Sequence, residues 1–224
     1  MPYFTDNTIE FLQALSRHNN REWFQQHKND YLRYAKEPFE HFVHDLIAAM
    51  QPYFDYNLAL TAKEAIFRIY RDIRFSADKS PYKTHLGAVI TPGGRKQPAI
   101  QGIYLEINPS ELRVYSGLYK LTTSELKNVR TQIAYNLETF ASLISEKRFR
   151  ELFGAIRGDK NKRLPKDLLA DAARQPLLYN KQFYYFASWP VAVITEPGEQ
   201  LLRRITTAFE VCQPLTIFLY EGLS

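Results

Sequence analysis

From Asp6 to Ser16 the apolar residues fall at Ile9, Leu12 and Leu15, one stripe of a 3.6-residue period, which predicts a first helix. Asn19 and Glu22 then have the spacing of a capping box. A long helical region follows, with Phe39, Phe42, Val43, Leu46, Ile47, Met50 and Phe54 in phase, and Pro38 kinks it or starts a second segment. The period then changes. Residues 65–75, 84–91, 100–107 and 112–119 are rich in Ile, Val, Tyr and Phe and read as strands, with "NPSE" at 108–111 closing a hairpin. Helical period returns after Thr123, the expected N-cap, with Leu126, Val129, Ile133, Leu137 and Phe140 aligned. A late strand near 183–194, a helix over 197–212 and a short last helix opened by Pro214 complete the chain. The expectation is one α+β domain over residues 1–224: a largely antiparallel sheet (meander 65–119 plus the late strand) packed by N-terminal, middle and C-terminal helices.

The meander contains a misfit. "RIYRDIRFSADKSPYKT" at 68–84 holds Arg68, Arg71, Arg74, Lys79 and Lys83 against only Asp72 and Asp78. In a strand, Arg68, Tyr70, Asp72 and Arg74 share one face, while Arg71 falls among Phe67, Ile69, Ile73 and Phe75 on the other. A buried Arg needs a carboxylate or carbonyls, so Arg71 demands a partner unless a bulge re-aims it. Ser76, Asp78 and Ser80–Pro81 form the following turn, with Asp78 accepting backbone N–H groups. Concentrated cations repel one another, which stability does not explain; Arg forks and Lys point charges suit phosphate or carboxylate oxygens. The expected anion site is therefore Arg68, Arg71, Arg74, Lys79 and Lys83, with Asp72 orienting the arginines, Asp78 holding the turn and Tyr82 donating a hydrogen bond. Two rivals use the same block. One is a nucleic-acid or protein-binding module, whose basic surface would join 68–83 to the loop 157–166; the other is a salt-bridge network in an interaction scaffold.

Composition adjusts this picture only a little. The net charge of +5 over 224 residues suits an acidic small molecule and is too small to argue nucleic acid by itself. Cys212, the sole cysteine, lies in apolar helical context and reads as a buried, inert thiol. His41 and His44 stand at i and i+3, but no third ligand is fixed by spacing, so no metal and no cofactor are expected. No nucleophile elbow, Cys-His pair or dinucleotide fingerprint appears, so the sequence names no reaction. "MPYFTDNTIEFLQAL" lacks a basic stretch ahead of an apolar core, and no apolar run reaches the roughly 18 residues of a span. The expectation is a cytoplasmic protein with no membrane partner.

"NNREWF", "FRIYRDIRFSADKSPYKTHLG" and "YLEINPSELRVYSGLYKLTTSELKNVR" closely resemble a widespread bacterial and fungal family, catalogued as domain of unknown function 2461. The resemblance runs over nearly the whole chain. It implies one domain with one signature block, and no activity comes with it. That family often carries paired glycines where this chain has Ser116–Gly117.

Overall fold

The computed structural model describes residues 1–54, 57–96 and 101–223. Among the described residues four strands, β1 (Leu86–Ile90), β2 (Ile103–Ile107), β3 (Glu111–Leu118) and β4 (Phe183–Pro190), form one antiparallel sheet in the order β1-β2-β3-β4. With its helices this makes an α+β fold. Alternation sets one buried face: Ile103, Leu105 and Ile107 of β2, Leu112 and Val114 of β3, and Phe183, Tyr185 and Ala187 of β4 are buried. The β2–β3 reversal is the "NPSE" turn, where Asn108 Oδ1 accepts from Ser110 N (2.9 Å) and Glu111 N (3.0 Å).

Two compact units are present. The first comprises residues 1–96, 104–114 and 188–206. Its helices are α1 (Asp6–Arg17), α2 (Arg21–Gln26), the single turn α3 (Lys28–Asp30), α4 (Glu37–Met50) and α5 (Ala62–Ala65). The long helical region runs from α3 into α4 through a π-helical turn at residues 31–36; Pro38, in the first turn of α4, cannot donate to Tyr34 O, which accepts from Thr8 Oγ1 at 2.6 Å instead. Asn20, not Asn19, caps α2, accepting from Trp23 N at 2.9 Å. Phe4, Phe39 and Phe42 form the centre of this unit's core.

The second unit comprises residues 97–103, 115–187 and 207–224. It holds α6 (Thr123–Tyr135), α7 (Leu137–Ser145), α8 (Lys147–Phe153), α9 (Leu169–Arg174) and the larger part of α10 (Gly198–Glu221). Thr122 caps α6, one residue before the position expected, in a reciprocal box with Glu125. Pro214 lies inside α10 rather than opening a new helix; its neighbours Cys212, Leu215 and Leu219 are buried, and packing outweighs the one lost backbone bond. Ser116 Oγ donates to Gly102 O (2.8 Å) and lies 3.0 Å from Thr216 Oγ1, which is 2.8 Å from the Tyr185 hydroxyl. The basic loop after Arg157 runs along β4 and the segment ahead of it through bridges Arg157–Tyr184 and Lys160–Asn180, with the Arg157 guanidinium 3.8 Å over the Phe186 ring.

Among the described residues no helix is long and apolar enough to cross a membrane. The expected strand 65–75 is not a regular strand. It is one arm of an irregular hairpin bridged at Ile66–Ala88 and Tyr70–Tyr82. Four steps separate the bridged residues on the first arm and six on the second, so two extra residues must loop out between Tyr82 and Ala88. Pro81, with no N–H to give, ends the ladder at the far end. The expected strand start at residue 100 lies outside the described residues.

Candidate functional site

The hairpin divides the signature block into a tip and a base. At the tip the charges satisfy one another. Asp72 accepts from Arg74 at two points, Nε to Oδ1 (3.0 Å) and Nη2 to Oδ2 (2.7 Å). The misfit Arg71 finds its partner across the reversal: its Nη1 donates to Asp78 Oδ2. The other Asp78 oxygen takes Ser80 N (2.9 Å) and Ser80 Oγ (2.6 Å), and Lys79 Nζ donates to Ile73 O at 3.1 Å. Hydrogen bonds from Arg74 hold the Asp72 carboxyl down at about 2, and those from Ser80 and then Arg71 hold Asp78 well below the usual carboxylate range.

The base is different. Lys83 is half-buried, its Nζ 4.8 Å over the Phe67 ring, and it makes no ion pair among the described residues. Burial, then the charges of Arg68 and Arg95, push its ammonium below the ordinary lysine range. Arg68 is exposed and has neither hydrogen bond nor ion pair among the described residues. Arg95 donates to two carbonyls, Nε to Glu64 O (2.9 Å) and Nη2 to Lys63 O (2.7 Å), and makes no ion pair among the described residues. Tyr82 is buried, stacked on Phe24 with centroids 4.0 Å apart. Asn19 clasps its backbone, accepting from Tyr82 N (3.1 Å) and donating to Tyr82 O (2.9 Å). This explains why Asn19 does not cap α2.

A cavity of about 320 Å³ opens beside this stack, lined by Arg21, Gln25, Tyr70, Arg71 and Tyr82 among others. The residues expected to act together therefore fall into three places. Arg71 and Tyr82 face a cavity, Arg68 and Lys83 form a cationic base, and Asp72, Arg74, Asp78 and Lys79 bind the tip together. Arg21 and Arg95 were not expected. The first lies in "NNREWF" and the second in "TPGGRKQP", both outside the block, and only the fold brings them beside it.

His85 follows on the bulged arm, its Nε2 4.0 Å from Glu106. Burial is the main force on it and lowers its pKa; Glu106 opposes, and Lys83 and Arg71 add to the lowering. A folded-state pKa below the unfolded value means that protonation favours the unfolded chain. Stability from this group is thus whole above about pH 6.5 and lost as pH falls through the lowered value. Asp72 and Asp78 act in a lower window: their contribution is present above the ordinary carboxylate pKa and disappears toward pH 2. Urea midpoints measured from pH 7 to pH 5 are expected to fall in the native protein and to fall less in His85→Gln, while below pH 4 the two decline together. Equal slopes above pH 5 would remove His85 from the account.

Elsewhere, His44 Nδ1 lies 3.0 Å from Asp45 Oδ1 and the Tyr3 hydroxyl donates to Asp45 Oδ2 at 2.6 Å. No group of three or more His, Cys, Asp or Glu side chains among the described residues could hold a metal ion. Cys212 is fully buried, and burial pushes its thiol up to about 12. Compared with known families, residues 7–218 match the profile of the conserved hypothetical protein family DUF2461. None of the curated proteins matches the chain.

Proposed function

Since the chain belongs to the conserved hypothetical protein family DUF2461, we propose from its signature block that it binds an anionic ligand, bearing phosphate or carboxylate, at the base of the 66–88 hairpin. The observation that carries this reading is Lys83: a half-buried ammonium within reach of the charges of Arg68 and Arg95, with no ion pair among the described residues. Holding such a group desolvated among like charges opposes folding, and a bound anion adds an attraction to each cation that offsets this. Arg68 and Lys83 clamp the ligand and Arg95 adds charge, while Arg71 stays paired with Asp78 and Tyr82 stacked on Phe24. Asp72, Arg74, Asp78 and Lys79 fix the tip and leave the ligand alone. The mutual pairing at the tip supports a structural role for that half of the block.

Calorimetric titration with inorganic phosphate, and then citrate as a carboxylate, tests the proposal. Lys83→Ala and Arg68→Ala are expected to weaken binding at least about tenfold each, as loss of a charge-assisted hydrogen bond does. Arg74→Ala should leave affinity unchanged. Lys83→Ala should also leave the ligand-free protein as stable as before or more so. Binding that survives both base substitutions would overturn the reading. Failure of both anions alongside tight, steeply salt-dependent binding of a DNA duplex would move the same cations to the nucleic-acid class.

A further inference from the structure

A cavity of about 1050 Å³ lies in the second unit, and none of its lining residues is acidic. Four of them are cationic: Lys120, Lys127, Arg130 and Lys181. Lys120, Lys127 and Lys181 are exposed, but Arg130 is only 5% exposed. Its Nη2 donates to Asn180 O (3.0 Å) and reaches toward Tyr179 O (3.5 Å), while its Nε has no hydrogen-bond partner among the described residues. No carboxylate among those residues pairs with it, and burial alone pushes its guanidinium below the ordinary range. A guanidinium stays charged throughout physiological pH, so this is a positive charge held in the protein with donors to spare.

The same cavity receives the start of α6, a helix of 13 residues. Thr122 and Glu125 satisfy two of the helix's unpaired N–H groups through their reciprocal box, at 2.7 and 3.2 Å. The amides that the box leaves over belong to Thr123 and Ser124, both of which line the cavity, whereas Glu125 does not. Thr123, Lys127 and Arg130 follow one another at i, i+4 and i+7, so a single helix face presents amide, ammonium and guanidinium in sequence. The other walls set apolar Leu121, Leu126, Pro165 and Leu168 beside the amides of Asn161 and Gln182, and Tyr119 joins them with an exposed ring edge-on to Tyr184 at 5.2 Å.

We propose that this cavity binds a phosphomonoester carried on a planar or apolar body of nucleoside size, the phosphate at the start of α6 against Arg130, Lys127 and Lys181. The body lies on Leu126 and Leu168 with one face on Tyr119. The volume exceeds what a bare phosphate fills and matches a small-molecule site with a few polar groups at one end. The site is separate from the hairpin base and does not rest on it.

The probes are adenosine 5′-monophosphate, adenosine and inorganic phosphate, titrated calorimetrically into the full chain. The monophosphate is expected to bind at least about tenfold more tightly than either fragment, since each fragment forfeits one end of the site. The double variant Lys127→Ala/Lys181→Ala alters only exposed side chains and should weaken the monophosphate at least about tenfold. Arg130→Met should abolish binding; if that variant does not fold, the double variant decides. Lys83→Ala should leave this affinity untouched, which separates the site from the hairpin base. No binding of the monophosphate, equal binding of adenosine, or an unchanged double variant overturns the proposal.

Discussion

Gly117→Ala is expected to destabilise the protein by about 4 kcal/mol or more, read as a lowered urea midpoint with unchanged slope. Gly117 sits in β3 at φ +94°, where a side chain is strained by about 1–3 kcal/mol on conformational grounds alone. The added Cβ would also lie 2.2 Å from Phe183 O and 3.1 Å from Tyr184 Cα. Both atoms are backbone of the neighbouring strand β4, held by the ladder, so neither can rotate away as a side chain would. Gly154 provides the control: its φ is +74°, but a Cβ added there would meet nothing within 4 Å. Gly154→Ala should therefore lose only the conformational part, about 1–3 kcal/mol. Equal losses at the two positions would show that contact with β4 contributes nothing.

Thr216→Val is the second large effect, about 2–3 kcal/mol, although it keeps the side-chain shape and opens no cavity. Thr216 Oγ1 donates to Cys212 O at 2.9 Å and stands 2.8 Å from the hydroxyl of Tyr185, which is fully buried. Removing it leaves that hydroxyl with a long 3.4 Å approach to Cys212 O and the Ser116 hydroxyl, itself committed to Gly102 O. An orphaned buried donor costs more than the bond itself is worth. Ser116 suffers less, since it keeps its bond to Gly102 O. Adding Tyr185→Phe to Thr216→Val should restore part of the loss, because it removes the orphan; thermal and urea unfolding of the four-member cycle measures the coupling. Additive losses would deny that the two hydroxyls depend on each other.

Helical stripes and the β2–β3 turn were legible in the sequence because they depend on local period and one Asn side chain. The helix caps were displaced by a residue. Asn19 and Asn20, and Thr122 and Thr123, offer adjacent candidates of equal chemistry, and a tertiary demand settled the first when Asn19 took the Tyr82 backbone. The strand expected at 65–75 has strand composition, but period cannot register two extra residues in the opposing arm. That irregularity lets Arg71 meet Asp78 seven positions on, so the residue that fitted neither face has its partner across the turn. In α6 the spacing of Thr123, Lys127 and Arg130 was visible, yet the core residues Val129 and Ile133 dominated the period. Lys181 joins them only through the path of the chain ahead of β4.

Cys212 carries a consequence for watching this protein open. With its sulfur sealed in the core and its proton held up to about 12, the thiol meets an alkylating reagent only after the second unit has come apart. Labelling is then a clock wound by unfolding: its rate counts openings of α10 from the rest of that unit, one molecule at a time. A ligand that fills the cavity under α6 would slow that clock in proportion to its occupancy, without any assay of chemistry.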